Sequence, residues 1–256
     1  MPTKRRQESS TGFYHVIVKG INKERIFNQR RERIYFKKII LKHLKKYQVE
    51  IYAYCIMSNH AHIMIRAEIQ ELSMFMARIL AEYASYYNYK HYRNGHVFQN
   101  RFTSECIEDE AYFWNCIRYI HMNPVKANMV KVPLKYKYSS MNEYYMENPE
   151  VIHKNALYVY KERFGEFESF DKFHYLRRYE LFKDVPDEVD KQQMEVAMLI
   201  LEEMFVSYQL KLKKEIFEQQ DLREEYLTLI QKIIGISSRR GKEVYLGIRD
   251  LVNCEG

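Results

Sequence analysis

Tyr54-Cys55-Ile56-Met57-Ser58-Asn59-His60-Ala61-His62-Ile63-Met64-Ile65 is the stretch that decides how this chain folds. Two apolar runs are interrupted at Ser58-Asn59. Serine and asparagine satisfy turn backbone with their own short side chains. The pattern therefore predicts two strands, 49–57 and 60–66, joined as a hairpin. Side chains two apart on a strand share one face, so His60 and His62 stand side by side. Two neighbouring imidazoles can hold one divalent cation. Two strand histidines making ordinary hydrogen bonds would look the same, so the pair alone does not settle its chemistry. Asn59 either makes the turn or hydrogen-bonds a ring nitrogen.

Upstream, Phe13-Tyr14-His15-Val16-Ile17-Val18 reads as a buried strand closed by Gly20. Residues 29–47 set Ile34, Ile39, Ile40, Leu44 and Tyr47 among lysines and arginines, an amphipathic helix with a basic outer face. Downstream, Leu72, Phe75, Met76, Ile79, Leu80, Tyr83 and Tyr87 keep helical register over 71–92, and Asn94-Gly95 ends it. Residues 96–107 read as extended. Asp109 is a good cap for a helix from Glu110, and Pro124 predicts its end near Asn123. Strand, helix, strand, strand, helix, strand, helix is an α+β order. It predicts a ferredoxin-like split βαβ sandwich, an antiparallel sheet with helices on its face and one added helix.

A boundary is expected around 140–150, giving a first domain over 1–145 and a mostly helical C-terminal extension over 146–256. Candidate helices there span 150–165, 187–214 and 221–234. Residues 227–248, around Gly235-Ile236-Ser237, faintly resemble a helix-turn-helix. Gly241 spoils its second helix, so a helical cap or a partner-binding surface fits the extension better.

Charge changes sign near the same boundary. Residues 1–140 hold 24 Lys/Arg and 11 Asp/Glu, a balance of +13, and residues 141–256 carry −6. A basic surface suits a polyanionic partner, although solvated helix faces alone give such an imbalance. Lys4-Arg5-Arg6 form a basic arm that could reach a nucleic acid. The four cysteines, Cys55, Cys106, Cys116 and Cys254, make no Cys-x-x-Cys pair. No apolar segment follows the first ten residues, and no run approaches the roughly 20 apolar residues of a membrane span. The expectation is a reduced, cytoplasmic protein with no membrane partner.

A second motif is Tyr119-Ile120-His121-Met122-Asn123-Pro124. On a helical wheel, Phe113, Ile117 and Ile120 form a core stripe, while Tyr112, Cys116, Tyr119 and Asn123 form another, rotated away. Tyr119 and Asn123 lie one turn apart and reach the same spot. An amide oxygen there could complete a hard-metal site, with the phenol beside a bound phosphate. No acidic residue follows the histidine pair, as a zinc hydrolase would need. Cys55 makes zinc only conceivable, and Mg²⁺ or Mn²⁺ is the better expectation. His121 points elsewhere and reads as structural. Arg101, Arg118 and Lys126 flank the site and could clamp phosphates. Some of Tyr83, Tyr86, Tyr87, Tyr89 and Tyr92 could stack on unpaired bases.

These residues reach a known family. The sequence resembles the HUH-type single-tyrosine transposases, and most closely the REP-associated tyrosine transposases of bacteria. Tyr14-His15-Val16 with Gly20, the stretch Tyr54 to His62, Gly95-His96-Val97-Phe98-Gln99-Asn100-Arg101-Phe102, and Arg118 to Ala127 carry the resemblance, over about 12–140. Lys19 departs from it where an arginine is usual, and Asn100 where a glycine often stands. The resemblance implies that His60 and His62 bind the metal, Tyr119 is the nucleophile and Asn123 the third ligand. It further implies nicking and rejoining of single-stranded, hairpin-containing DNA through a 5′-phosphotyrosine, by a monomer or a homodimer. A non-catalytic DNA-binding regulator that kept the fold is the main alternative, and a metal-only phosphodiesterase or an unrelated zinc protein the third.

Overall fold

The expected hairpin forms. In the computed structural model, which describes residues 6–176, 181–182, 184 and 186–254, β2 (Glu50–Ile56) pairs antiparallel with β3 (His60–Arg66), Cys55 opposite His62. The Met57 N–H donates to His60 O across the turn (2.9 Å). β1 (Phe13–Lys19) takes the other side of β3, and β4 (Thr103–Ile107) pairs with β1. The sheet order is β2-β3-β1-β4 with every neighbour antiparallel. With α1 (Arg30–Leu44), α2 (Ile69–Lys90) and the added α3 (Glu110–Lys126), this is the ferredoxin-like α+β order. Lys4 and Arg5 lie outside the described residues.

Register decides which residues share a face, because directly opposed residues point the same way. Phe13, His15 and Ile17 oppose Arg66, Met64 and His62, so all face the side that carries His60. α3 covers that side: the Phe13 ring lies 5.0 Å from Phe113, and His62 lies 5.6 Å from Tyr119. α1 takes the other side, where Lys37 lies over the Tyr54 ring. α1 and α2 pack together through Phe36 and Tyr83 (5.2 Å), and the buried Glu32 accepts from Lys90 (2.6 Å).

Two details of α3 differ from the sequence reading. Asp109 caps it as expected, accepting from the Tyr112 N–H (2.7 Å), but the helix continues through Pro124 to Lys126. A proline inside a helix costs about 3 kcal/mol. Pro124 and Asn123 are buried, and the Ala127 N–H still bonds Asn123 O (2.9 Å), so packing and the remaining ladder outweigh that cost. Both stripes of α3 are also buried, Cys116, Tyr119 and Asn123 as fully as Phe113, Ile117 and Ile120. Both stripes meet the sheet, Phe113 on Phe13 and Tyr119 on His62; α5 (Lys154–Phe164) and α6 (Phe167–His174) contact the helix elsewhere, with Trp114 on Phe164 (5.0 Å) and His121 on Phe170 (6.0 Å).

These helices also move the boundary. The chain divides into compact units 1–176 and 177–256, not at 145. Residues 138–153 cover the outer edge of β2, which would otherwise expose unpaired backbone groups. Ile56 donates to Tyr138 O (2.9 Å), Ser140 to Tyr54 O (2.9 Å) and His153 to Ile51 O (2.7 Å). α4 (Met141–Tyr145) adds Tyr144, whose hydroxyl donates to Tyr52 O (2.7 Å).

His121, expected to be structural, sits in a buried chain that pins α3. His174 Nδ1 donates to Phe170 O (2.7 Å), so its Nε2 accepts from His121 Nδ1 (2.9 Å). His121 Nε2 then accepts from Ser140 Oγ (2.7 Å). Both rings must be neutral for this chain to close. Burial pushes His174 down to about 4 and holds His121 well below the usual imidazole range. The unfolded chain therefore binds protons that the folded one refuses, and stability falls as pH drops from about 6.5 to 4. His174 alone accounts for about 3 kcal/mol over that window. Urea unfolding at pH 7 and pH 4.5 should show the loss, and His174→Phe should flatten the profile.

The second unit holds α7 (Pro186–Ser207), α8 (Glu215–Glu218), α9 (Gln220–Ile234) and α10 (Ser238–Cys254). Ala197, Ile200, Tyr226, Ile230, Val244 and Ile248 share its core. Gly235 ends α9 in the left-handed region (φ 67°). Gly241 does not break α10. It is buried, and a Cβ there would come within 2.7 Å of the Gln231 side chain, so the glycine lets α10 approach α9 closely. No described helix is long and apolar enough to cross a membrane.

Candidate metal centre and nucleophile

β3 presents His60 and His62 on one face, both buried, with ring centroids 4.8 Å apart. Asn59 Oδ1 accepts from His60 Nδ1 (2.8 Å), which leaves the ring's lone pair at Nε2. The turn asparagine thus makes the bond that the sequence left open. Burial, with His60 and His15 adding to it, holds His62 well below the usual imidazole range, so it stays neutral. A neutral, oriented imidazole pair fits a divalent cation. Cys55 does not extend that set. Burial pushes its thiol up, and Sγ contacts Met57 Sδ (3.6 Å), so no thiolate is on offer.

α3 brings Tyr119 to the pair. Its ring meets His62 edge to face (5.6 Å) and His15 likewise (5.9 Å). Lys126, two turns on, places Nζ 5.7 Å from the Tyr119 centroid. Asn123 lies between them on the same stripe. Its Nδ2 donates to Tyr119 O (3.2 Å), a bond to the preceding turn that turns Oδ1 away from that carbonyl. Arg118 is drawn elsewhere: its Nη1 donates to Leu176 O beyond α6 (2.7 Å).

His15 is the residue that the sequence did not single out. It is wholly buried, and its Nε2 lies 3.0 Å from His62 Nδ1. Strand alternation alone could have flagged it, once β1 and β3 were known to be neighbours.

Beside the same end of the sheet runs the segment 95–102. Phe98 bridges Gly20, Gln99 donates to Lys19 O (2.9 Å) and Ile21 to Val97 O (3.0 Å). Lys19 opposes His60, so this segment adjoins the histidine turn. It lines a groove of about 510 Å³ with Arg6, Arg101 and Phe102. The Arg6 guanidinium stacks on Phe102 (3.7 Å), and burial and the nearby Arg101 charge lower its pKa. Two clustered guanidiniums beside an aromatic ring suit a phosphate-bearing chain.

Gly20 holds the junction. Its N–H donates to Asn59 O (2.8 Å), and an added Cβ would meet Glu24 O at 2.3 Å. Gly20→Ala should destabilise the protein by about 1–3 kcal/mol, read by thermal unfolding, because the colliding atom is backbone.

A ferredoxin-like sheet with paired histidines on one strand, facing a helix-borne tyrosine, is the HUH-type arrangement. Residues 8–123 match the model of the family described as "Transposase IS200 like". The matched segment contains His60, His62, Tyr119 and Asn123. No curated protein matches the chain. Among solved structures, one described as a REP-associated tyrosine transposase bound to a REP hairpin is similar. It shares 18% identity and a TM-score of 0.48, over 58% of this chain and 87% of that one.

Proposed function

We propose that the first unit nicks and rejoins single-stranded, hairpin-containing DNA through a covalent link to Tyr119. The observation that carries this reading is the Tyr119 ring set 5.6 Å from the His62 ring of a buried histidine pair. His60 and His62 would hold Mg²⁺ or Mn²⁺, with the Asn123 amide oxygen as third donor. Such an ion polarises the scissile phosphate when bound.

Tyr119 Oη forms the new bond to phosphorus, and the bond from phosphorus to the 3′ oxygen breaks. The phenolic proton ends, on balance, on the leaving 3′-hydroxyl. A second 3′-hydroxyl reverses the step and restores the tyrosine. One phosphodiester replaces another, so no nucleotide triphosphate is consumed. Lys126 places its positive charge beside the Tyr119 ring, close to where the phosphate would react. Arg6 and Arg101 track the strand in their groove. Lys4 and Arg5, next to Arg6 in sequence, are further candidates for phosphate contact, and Arg118 is the weakest candidate because a carbonyl already engages it.

The test is labelled hairpin-bearing single-stranded DNA with Mn²⁺, resolved on a denaturing gel. A protein–DNA adduct that EDTA abolishes supports the reading. Binding without an adduct favours a DNA-binding regulator, and cleavage without an adduct a metal-only phosphodiesterase. Arg101→Ala should weaken DNA binding several-fold and lower the salt slope by about 1, measured by anisotropy across salt concentrations.

A further inference from the structure

We infer that His15 is a positioning residue for the metal pair: it accepts the Nδ1 proton of His62 and so keeps the His62 lone pair at Nε2. This rests on the reading of His60 and His62 as metal ligands. The two rings lie nearly parallel (22°), with centroids 5.2 Å apart and His15 Nε2 3.0 Å from His62 Nδ1. A hydrogen bond between neutral imidazoles needs one donor and one acceptor nitrogen. Two arrangements satisfy it, and they have opposite consequences. If His15 donates, the remaining His62 proton must sit on Nε2, and that nitrogen cannot bind a cation. If His62 donates, its Nε2 carries the lone pair.

The neighbourhood selects the second arrangement. His15 faces Glu105 across the β1–β4 pair, and Glu105 Oε2 lies 4.0 Å from His15 Nδ1. A carboxylate on that side favours a proton on Nδ1, which leaves Nε2 as the acceptor. Glu105 is itself engaged by the Tyr112 phenol, from the stripe of α3 that carries Tyr119. The series therefore runs from Tyr112 through Glu105 and His15 to His62. Metal-bound histidines commonly donate their other ring N–H to a carboxylate or a carbonyl; here an imidazole takes that place. His15 also walls the site, with its ring edge to face on Tyr119 (5.9 Å). Aligned this way, His60 and His62 each have Nδ1 committed and Nε2 as donor atom, one through Asn59 and the other through His15.

The first measurement uses the unaltered, metal-free protein. Long-range ¹H–¹⁵N correlation on ¹⁵N-histidine-labelled protein, with His62 assigned through His62→Gln, reads the tautomer directly. Protonated Nδ1 with bare Nε2 on His62 is expected, and the reverse overturns the inference. The second is Mn²⁺ affinity by calorimetry. His15→Leu should lose 10- to 100-fold, while His15→Gln, which keeps an acceptor, should recover most of it. Unchanged affinity in a folded His15→Leu protein overturns the positioning role, as does the absence of Mn²⁺ binding by the unaltered protein. The expected tautomer and affinities in a protein that makes no DNA adduct support the role of His15 and sink the strand-transfer reading alone.

Discussion

Tyr119→Phe should abolish the protein–DNA adduct, by at least about 10³-fold, while leaving the fold intact. The substitution removes one oxygen. The ring that packs between His15, His62 and Lys126 remains, and each of those contacts is to the ring face or edge. Because the ring stays in place the variant should still fold, and Mn²⁺ affinity and hairpin binding should hold. No substituted hydroxyl can take over, because nucleophilic attack requires an oxygen held beside the phosphorus. The phenol of the neighbouring stripe residue, Tyr112, is pushed strongly up by burial and then by its engagement with Glu105. An adduct that persisted in Tyr119→Phe would remove this residue from the chemistry. A large loss of DNA binding would make it a contact residue instead.

The largest stability effect should come from Glu143, which has no part in the proposed chemistry. Its side chain is buried, and one carboxylate oxygen accepts three backbone N–H groups, from Glu150 (2.8 Å), Val151 (2.7 Å) and Ile152 (3.0 Å). The other accepts the Tyr54 hydroxyl (2.7 Å), with Lys37 at 3.5 Å. Hydrogen bonds to a charged group are worth about 1.5–3 kcal/mol each, and stranded buried donors cost as much again. Glu143→Ala should thus lose about 3–5 kcal/mol, roughly 10 °C or more in melting temperature for a unit of this size. Glu143→Gln should lose less, since its amide oxygen still accepts. The same carboxylate secures 150–152 beside the β2 edge, so its loss should speed hydrogen exchange in β2 before the rest of the sheet. Uniform exchange across the sheet would contradict that.

Glu143 also shows why the domain boundary was illegible. Composition and charge change near 140–150, and a break there is a fair reading of the sequence. Nothing local announces that a glutamate at 143 closes a turn at 150–152, or that 138–153 pair with the edge of β2. Those are contacts between distant residues, and only the folded chain reveals that the edge needs them. Pro124 and Gly241 teach the same lesson. Their local preferences argue against helix, yet α3 and α10 run through them, because burial in one case and a close helix crossing in the other outweigh propensity.

By itself the sequence determined the order of strands and helices, the hairpin at Ser58-Asn59, the Asp109 cap, and the nomination of His60, His62, Tyr119 and Asn123. Each follows from short-range rules: alternation on a strand, the turn of a helix, the reach of a capping side chain. Tertiary structure alone decided that Tyr119 lies against His62, that His15 and Glu105 stand behind that histidine, that Arg118 is tied to Leu176, and that His121 closes a buried chain with His174 and Ser140. All of these depend on which strand neighbours which and how they are registered. Register is a property of pairs of segments, set by the packing of whole faces, and no single segment carries it.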